Sequence, residues 1–449
     1  MQKYYDMVEK YKDLILSAER HIWNNPEPGY KEFKTNEFML NEFEKLGYTD
    51  IVKAEKITGF YTVVDTCKPG PTVLVMAELD SLINPLHPEC DKKTGAVHNC
   101  GHHAQCAAML GLAAALKEKG ALDGLSGKIK LCLVPAEEGI EVSFRKNLID
   151  NGVISFTSGK PELISRRFFD DVDIAFMLHT SDSKQYKFSL TKGHNGTIRK
   201  RTTVIGKSAH AGSSPQDGIN ALNAASLIMV AINSLRETFT EDTFARVHSI
   251  ITKGGTAVNA VPDEVVIESY VRTANPIASK KINDAVNRAI SATAAAIGCR
   301  VRIEDMAGSE ALHEDENLRN VAIEVFENLV GDAYFYNDKW LASSTDMGDV
   351  STLFPSIHVY VSGAVGTSHG IDYRIEDAYN ACVNGAKFEL GLIRKLLEND
   401  AEKAKNVISK FKPVFNSVDE FLAHKKSINM DKETVIYNDD GTITLNYKS

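Results

Sequence analysis

Three short apolar runs, at residues 71–76, 128–134 and 173–178, each give way abruptly to ionisable side chains. The first, Pro71-Thr72-Val73-Leu74-Val75-Met76, is followed by Glu78 and Asp80. The second, Lys128-Ile129-Lys130-Leu131-Cys132-Leu133-Val134, leads through Pro135 to Glu137 and Glu138; the third ends at His179. Runs this short and this apolar predict strands buried on both faces, as in the interior of a parallel sheet. Helical periods alternate with them, at residues 5–47 (broken at Asn24-Asn25-Pro26-Glu27-Pro28-Gly29) and in the Ala- and Leu-rich residues 104–118. Strand–helix alternation predicts an α/β domain on a mainly parallel sheet. In such sheets, sites collect beyond the carboxyl ends of the strands. Asp80, Glu137, Glu138 and His179 all fall there by position alone.

A chain of 449 residues is too long for one ordinary core, so two domains are expected. The texture changes between residues 193 and 305. A strand at 196–206 precedes a helix at 217–239. Strands at 245–252 and 264–272, a helix at 279–296 and a strand at 300–304 follow. That order suggests a two-layer α+β insert. The first pattern resumes with a helix at 317–329 and a strand at 357–361. The expected organisation is therefore a discontinuous catalytic, metal-binding domain at 1–192 and 306–449, interrupted by a smaller domain at 193–305. From about residue 400 the chain is charged and weakly periodic, then alternates at 434–447.

The bulk numbers exclude some classes. The formal charge of -9, without a basic stripe bearing interleaved aromatics, argues against nucleic acid. The longest apolar stretch, 221–232, is too short to span a bilayer, and the N-terminus has no apolar signal core. No membrane partner and a cytoplasmic location are expected. Seven irregularly spaced cysteines suit free thiols in a reducing compartment, one of them available as a ligand.

Five dispersed residues read as ligands for a pair of metal ions: Cys100, His102, Glu138, His179 and His369. Thiolate, imidazole and carboxylate suit borderline divalent ions, zinc or manganese first, with cobalt or nickel also compatible. Glu137 sits beside Glu138 as a candidate general base. Each has a plainer reading. A lone buried Cys is more often a small hydrophobe, and a His after Met177-Leu178 is more often a satisfied core residue. Glu137-Glu138 also reads as a solvated turn, against which the fully apolar strand before it, Leu131-Cys132-Leu133-Val134, argues for a central position in the sheet. Gly206-Lys207-Ser208 and His313-Glu314-Asp315-Glu316-Asn317 fail as phosphate-loop and zinc-protease motifs, for want of the first glycine and the second histidine.

Together, Asn25-Pro26-Glu27-Pro28-Gly29, Glu78-Leu79-Asp80-Ser81-Leu82, Cys100-Gly101-His102, Glu137-Glu138 and Gly366-Thr367-Ser368-His369 resemble the M20 metallopeptidase and amidohydrolase family. The likeness is to its Cys-Gly-His branch, which includes amino-acid-conjugate and aminobenzoyl-glutamate hydrolases. Residues 344–351 are similar to the aminobenzoyl-glutamate hydrolase B-subunit and related dipeptidases. The resemblance implies a three-layer, phosphorylase/hydrolase-like catalytic domain and a lid that dimerises. It also implies two divalent ions per subunit and hydrolysis of a small amide substrate carrying a carboxylate. It makes Cys100 the bridging ligand, with His102, Glu138, His179 and His369 completing the set. Glu137 becomes the base and Asp80 the carboxylate that orients a ligand. In the insert, His210 matches the family's lid histidine, and Asn259 and Arg272 its substrate-binding positions. At His103 and Gln105 the chain departs from the family's Cys-Gly-His-Asp-x-His pattern, which leaves the partner of His102 open. A catalytically silent metal-binding protein or a two-domain binding protein of the same fold is the alternative. The Glu137 carboxylate argues against the first, and five ligands at strand ends argue against the second.

Overall fold

The computed structural model of the protein describes residues 1–448. It divides into two compact units. The first comprises Met1–Gly193, His313–Lys339 and Asp349–Val418. The second comprises His194–Leu312, Trp340–Gly348 and the chain from Asp419 on.

The first unit is built on an eight-stranded sheet. In spatial order its strands are Ile51–Lys53, Phe60–Asp65, Lys128–Val134, Thr72–Glu78, Ile174–Ser181, Ser356–Ser362, Phe188–Leu190 and Tyr334–Tyr336. The central pairings, Lys128–Val134 with Thr72–Glu78, Thr72–Glu78 with Ile174–Ser181 and Ile174–Ser181 with Ser356–Ser362, are parallel. Thr72–Glu78 is buried along its whole length, which is why its sequence runs apolar without alternation. Helices His102–Leu116 and Gly385–Lys410 pack against the sheet and each other. The first of these is buried at every residue, and after His102, His103 and Gln105 it holds only Ala, Leu, Met, Cys and Gly, with no polar stripe. The fold class expected from strand–helix alternation, α/β with a mainly parallel sheet, is the one found.

The second unit is a five-stranded antiparallel sheet in the order Arg246–Lys253, Glu264–Thr273, Gly196–Ile205, Arg300–Ala307 and Met430–Glu433. Helices Ala221–Ser234 and Pro276–Ala296 pack together and on the sheet. Asn220 and Asn275 cap them, their side chains accepting from Leu222 and Asn223 N–H and from Ala278 N–H. Lys200 and Asp305 form an ion pair inside this unit, and Asn283 and Asn287 donate to Asp305 Oδ2 at 2.7 and 2.8 Å. The helix expected at 217–239 is shorter, Ala221–Ser234, because one-turn helices Pro215–Asp217 and Arg236–Thr238 flank it.

The expected boundaries need correction at the tail. Residues 306–312, 340–348 and 419–448 belong with the second unit, not the catalytic segment. Met430–Glu433 adds an edge strand by backbone pairing with Arg300–Ala307. Arg302 grips Asp431 through two bonds of 2.6 and 2.8 Å. A four-residue strand reading Met-Asp-Lys-Glu carries no apolar alternation, so its sequence gives no strand signal. Position 449, assigned to the catalytic segment by the sequence, lies outside the described residues. No helix among the described residues is long and apolar enough to cross a membrane.

Glu314, in the first unit, tests how burial governs stability. It is buried, accepts from Thr191 Oγ1 at 3.0 Å, and burial pushes its carboxyl up from 4.5 to about 8. A folded pKa above the unfolded one means that this contribution is complete below pH 4.5 and lost as pH rises through 8. Glu314→Gln removes the ionisation and keeps an acceptor for Thr191. The variant is expected to melt close to wild type at pH 4.5 and above it at pH 9; calorimetry showing it less stable at pH 9 would refute the account.

Candidate metal centre

The parallel register brings three strand ends side by side. Glu78 is paired with Val134, and Met76 with Met177. Just beyond, the turn Pro135-Ala136-Glu137 is held in an uncommon conformation. Ala136 has φ 54°, and its N–H donates to Glu32 Oε1 at 2.7 Å. A non-glycine residue there costs about 1–3 kcal/mol and persists where neighbours enforce it. The turn presents Glu137, half-buried, and Glu138, buried. His179, expected just past a strand end, instead lies within Ile174–Ser181, opposite Tyr360.

Cys100 and His102 flank Gly101, the residue that begins helix His102–Leu116. Gly101 has φ 94°, and a Cβ there would lie 2.1 Å from Thr180 Oγ1 and 2.4 Å from Tyr373 OH. Only glycine fits, so the small residue between the two candidate ligands is a steric requirement. His369 arrives from a loop with φ 64°, its N–H bonded to Asn99 O at 2.9 Å and its carbonyl to Asn84 Nδ2 at 3.1 Å.

The side chains converge in two sets of three. Cys100, His102 and His179 offer ligand atoms within 4.8 Å of one another, and so do Cys100, Glu138 and His369; Cys100 is common to both. His102 and Glu138 also group with Glu137. Cys100 Sγ lies 3.4 Å from His179 Nε2, and His369 Nε2 lies 3.3 Å from Glu138 Oε1.

The tautomers of both inner histidines follow from their partners. His102 Nδ1 lies 2.9 Å from Asp80 O and 3.1 Å from Asp80 Oδ1. His179 Nδ1 lies 2.9 Å from Thr180 O. A carbonyl oxygen only accepts, so in the neutral form of each ring Nδ1 carries the proton and Nε2 turns its lone pair to the cluster. That is how a metal-binding imidazole is oriented. Asp80 thus supplies the partner of His102 that the sequence left open. The departing residues have other tasks: His103 Nε2 lies 3.2 Å from Glu19 Oε1, and Gln105 bonds Glu78.

The electrostatics also suit cations. Burial and the neighbouring Glu138 push the Cys100 thiol well above its ordinary range, so a thiolate there needs positive charge beside it. Burial opposes charge on His102, yet Glu78, Cys100 and Asp80 hold its pKa well above the usual histidine value. Glu138 is likewise opposed by burial but held low, His369 being the main cause. His102 Nε2 and Glu138 Oε1 are buried without a hydrogen-bond partner among the described residues. The charged groups facing them are Glu78, 3.1 Å from His102 Nε2, and His369, 3.3 Å from Glu138 Oε1. A bound ion or an ordered water satisfies buried polar atoms of this kind. The donor set therefore fits divalent metals.

Three further candidates lie in the second unit. His210 is exposed, and its Nδ1 accepts from Gly212 N–H and Ser213 N–H, each at 3.1 Å, leaving Nε2 as a hydrogen donor. Ala211 N–H bonds Asn259 O at 3.0 Å, so His210 and Asn259 share neighbouring loops. Arg272 is half-buried near the end of Glu264–Thr273, its guanidinium over the Tyr270 ring and one N–H on Ala342 O at 3.3 Å. The structure does not bring Arg272 into hydrogen bonding with the other two. Sequence reasoning missed Glu19, Glu78 and Lys160. Their only signal is a charge in or beside an apolar segment.

Residues 74–395 match the model of peptidase family M20/M25/M40. The Xaa-Arg dipeptidase of Mus musculus is 28% identical over 377 residues, covering 79% of this chain and 78% of the relative. The N-acetyl-L-cysteine deacetylase of Bacillus subtilis is 27% identical over 311 residues, 67% of this chain and 69% of the relative. Among solved structures, a dinuclear metal-binding M20 peptidase from Bacillus subtilis superposes with a TM-score of 0.67 at 18% identity, covering 87% of this chain and 99% of that one. An aminobenzoyl-glutamate utilization protein from Klebsiella pneumoniae gives 0.62 at 18% identity, with 86% and 97% covered. With a family match over most of its length, this chain belongs to peptidase family M20/M25/M40 and is a hydrolase of peptide or amide bonds.

Proposed function

We propose that the chain is a two-metal amidohydrolase that cleaves an N-acyl amino acid, an aminobenzoyl-glutamate-like conjugate or a dipeptide. The observation that carries this reading is the pair of ligand triads sharing Cys100, with Glu137 beside them. Cys100, His102 and His179 would hold one ion, and Cys100, Glu138 and His369 the other. Zinc or manganese suits these donors best, with cobalt or nickel also compatible. Such ions supply Lewis acidity that brings the pKa of water towards neutrality.

The chain's own groups do the rest. Glu137 takes the proton of the attacking water and returns it to the departing amine. Asp80 keeps the His102 ring in the binding tautomer. His210 offers Nε2–H to the oxyanion of the tetrahedral intermediate. Arg272 and Asn259 hold the substrate carboxylate, the guanidinium through its planar fork. The second unit acts as a lid and dimerisation domain. Leu227 and Val230 on Ala221–Ser234 are 46% and 61% exposed, an apolar face that a second copy would cover.

Release of amine from a panel of N-acyl amino acids, conjugates and dipeptides, abolished by a chelator and restored by metal, is the expected result. No hydrolysis by protein loaded with two ions would exclude it.

Glu137→Gln is expected to lower turnover on the order of a hundredfold to ten-thousandfold while leaving metal content unchanged. Retention of more than about a tenth of the activity would remove Glu137 as the base. Cys100→Ser and His369→Ala should each lower the metal-to-protein ratio of dialysed protein. Since thiolate and neutral imidazole are the binding forms, wild-type metal affinity should fall as pH falls. Wild-type stoichiometry in both variants would strike these residues from the ligand set. Finally, His210→Ala mixed with Glu137→Gln under subunit exchange should regain activity if the lid histidine serves the partner's site. No recovery despite proven exchange would place His210 in its own subunit's site or outside catalysis.

A further inference from the structure

Glu78 ends the central strand Thr72–Glu78, and it and Lys160 are both fully buried. Lys160 Nζ donates to Glu78 Oε1 at 2.5 Å. The other carboxylate oxygen, Oε2, accepts from Gln105 Nε2 at 2.9 Å and lies 3.1 Å from His102 Nε2. Gln105 Oε1 also accepts the Glu78 N–H at 3.0 Å, so one amide grips both the backbone and the side chain of this residue. Glu78, Lys160 and Gln105 have no role in the mechanism above.

Stability does not account for the pair. Burying an ammonium and a carboxylate strips both of water, and a well-packed apolar pair is often as stable or more so. Yet the chain is shaped to deliver it. Gly159 lies so close to Pro135 that a Cβ would stand 1.6 Å from Pro135 O, and its N–H bonds Ala136 O at 3.2 Å. The helix Gly159–Ser165 is thereby pinned to the turn that leads into Glu137, which brings Lys160 under the strand ends.

His102 Nδ1 is tied to Asp80, so Nε2 is the nitrogen left for an ion, and Glu78 faces that nitrogen. Two atoms that share an ion at bonds of about 2.1 Å stand roughly 3.0–3.4 Å apart. The 3.1 Å between Glu78 Oε2 and His102 Nε2 has that spacing. Glu78 also offers an oxygen within 4.8 Å of one from Glu137. We propose that Glu78 is a further metal-site carboxylate, serving the ion on the His102 side, with Lys160 and Gln105 as the positioning residues that orient it. This rests on the two-ion reading of the centre.

The test is zinc binding to metal-stripped full-length protein, titrated against a chromophoric chelator, with melting followed by circular dichroism. Wild type should bind two ions per chain. Glu78→Gln should keep one ion at wild-type affinity and bind the other at least about tenfold more weakly. Gln105→Leu should weaken the same ion and spare its neighbour, a selectivity that general destabilisation would not produce. If Glu78→Gln fails to fold because Lys160 is left buried without its counter-charge, Glu78→Gln/Lys160→Met removes both charges and should show the same selective loss. Two ions held at wild-type affinity in a folded Glu78 variant would overturn the inference alone. Wild type that does not take up two ions would overturn the two-ion reading and this inference with it.

Discussion

One carboxylate ties the candidate centre together. Asp80 is buried, and its two oxygens serve different elements: Oδ1 holds His102 Nδ1 at 3.1 Å, and Oδ2 accepts the Glu138 N–H at 2.9 Å. Helix His102–Leu116 and the turn after Lys128–Val134 are thereby fixed to the same residue just beyond Thr72–Glu78. A buried carboxylate accepting charge-assisted bonds on both sides resists rotation, since each lost bond would leave a buried group unpaired. The ring of His102 and the backbone of Glu138 are held before any ligand arrives, which is the preorganisation a catalytic metal site needs.

Three of the chain's positive-φ residues stand at the centre. Gly101, Ala136 and His369 all have positive φ, and each stands in or beside a candidate ligand segment. Left-handed geometry aims a side chain where a regular strand or helix would not. Its cost is met by local bonds such as Glu32 to Ala136 N–H and Asn99 O to His369 N–H. Glu32 is itself buried, and burial with the nearby Asp80 charge pushes its carboxyl up to about 7. Packing and strain are thus coupled to the chemistry.

The second unit shows a different economy. Its core is a sheet with helices on it, closed at one edge by Met430–Glu433 from the far end of the chain. Lys425 reaches Gly308 O, His424 Nε2 lies 3.2 Å from Glu310, and Ile428, Met430 and Val435 join the apolar core, so the tail is fastened by both charged and apolar side chains. The opposite edge strand, Arg246–Lys253, keeps Ile250 and Ile251 exposed at 50% and 39%.

The sequence by itself determined the class of the fold and most of the centre's membership. Apolar runs at 71–76, 128–134 and 173–178 are long enough to be strands and too apolar to be exposed. Their polar termini mark the sheet edge where Asp80, Glu137 and Glu138 emerge. That much is legible because burial acts on every residue of a central strand and leaves its period in the sequence. The tail strand left no such period, since an edge strand of charged residues is held by backbone bonds that any residue makes. Tertiary structure alone decided the roles of Glu78, Lys160 and Gln105. Lys160 lies 82 residues from Glu78, and no local pattern says that two buried charges will meet. Tertiary structure likewise chose the tautomers of His102 and His179. A ring nitrogen takes its proton according to the oxygen opposite it, and for His102 that oxygen belongs to Asp80, 22 residues away in the chain.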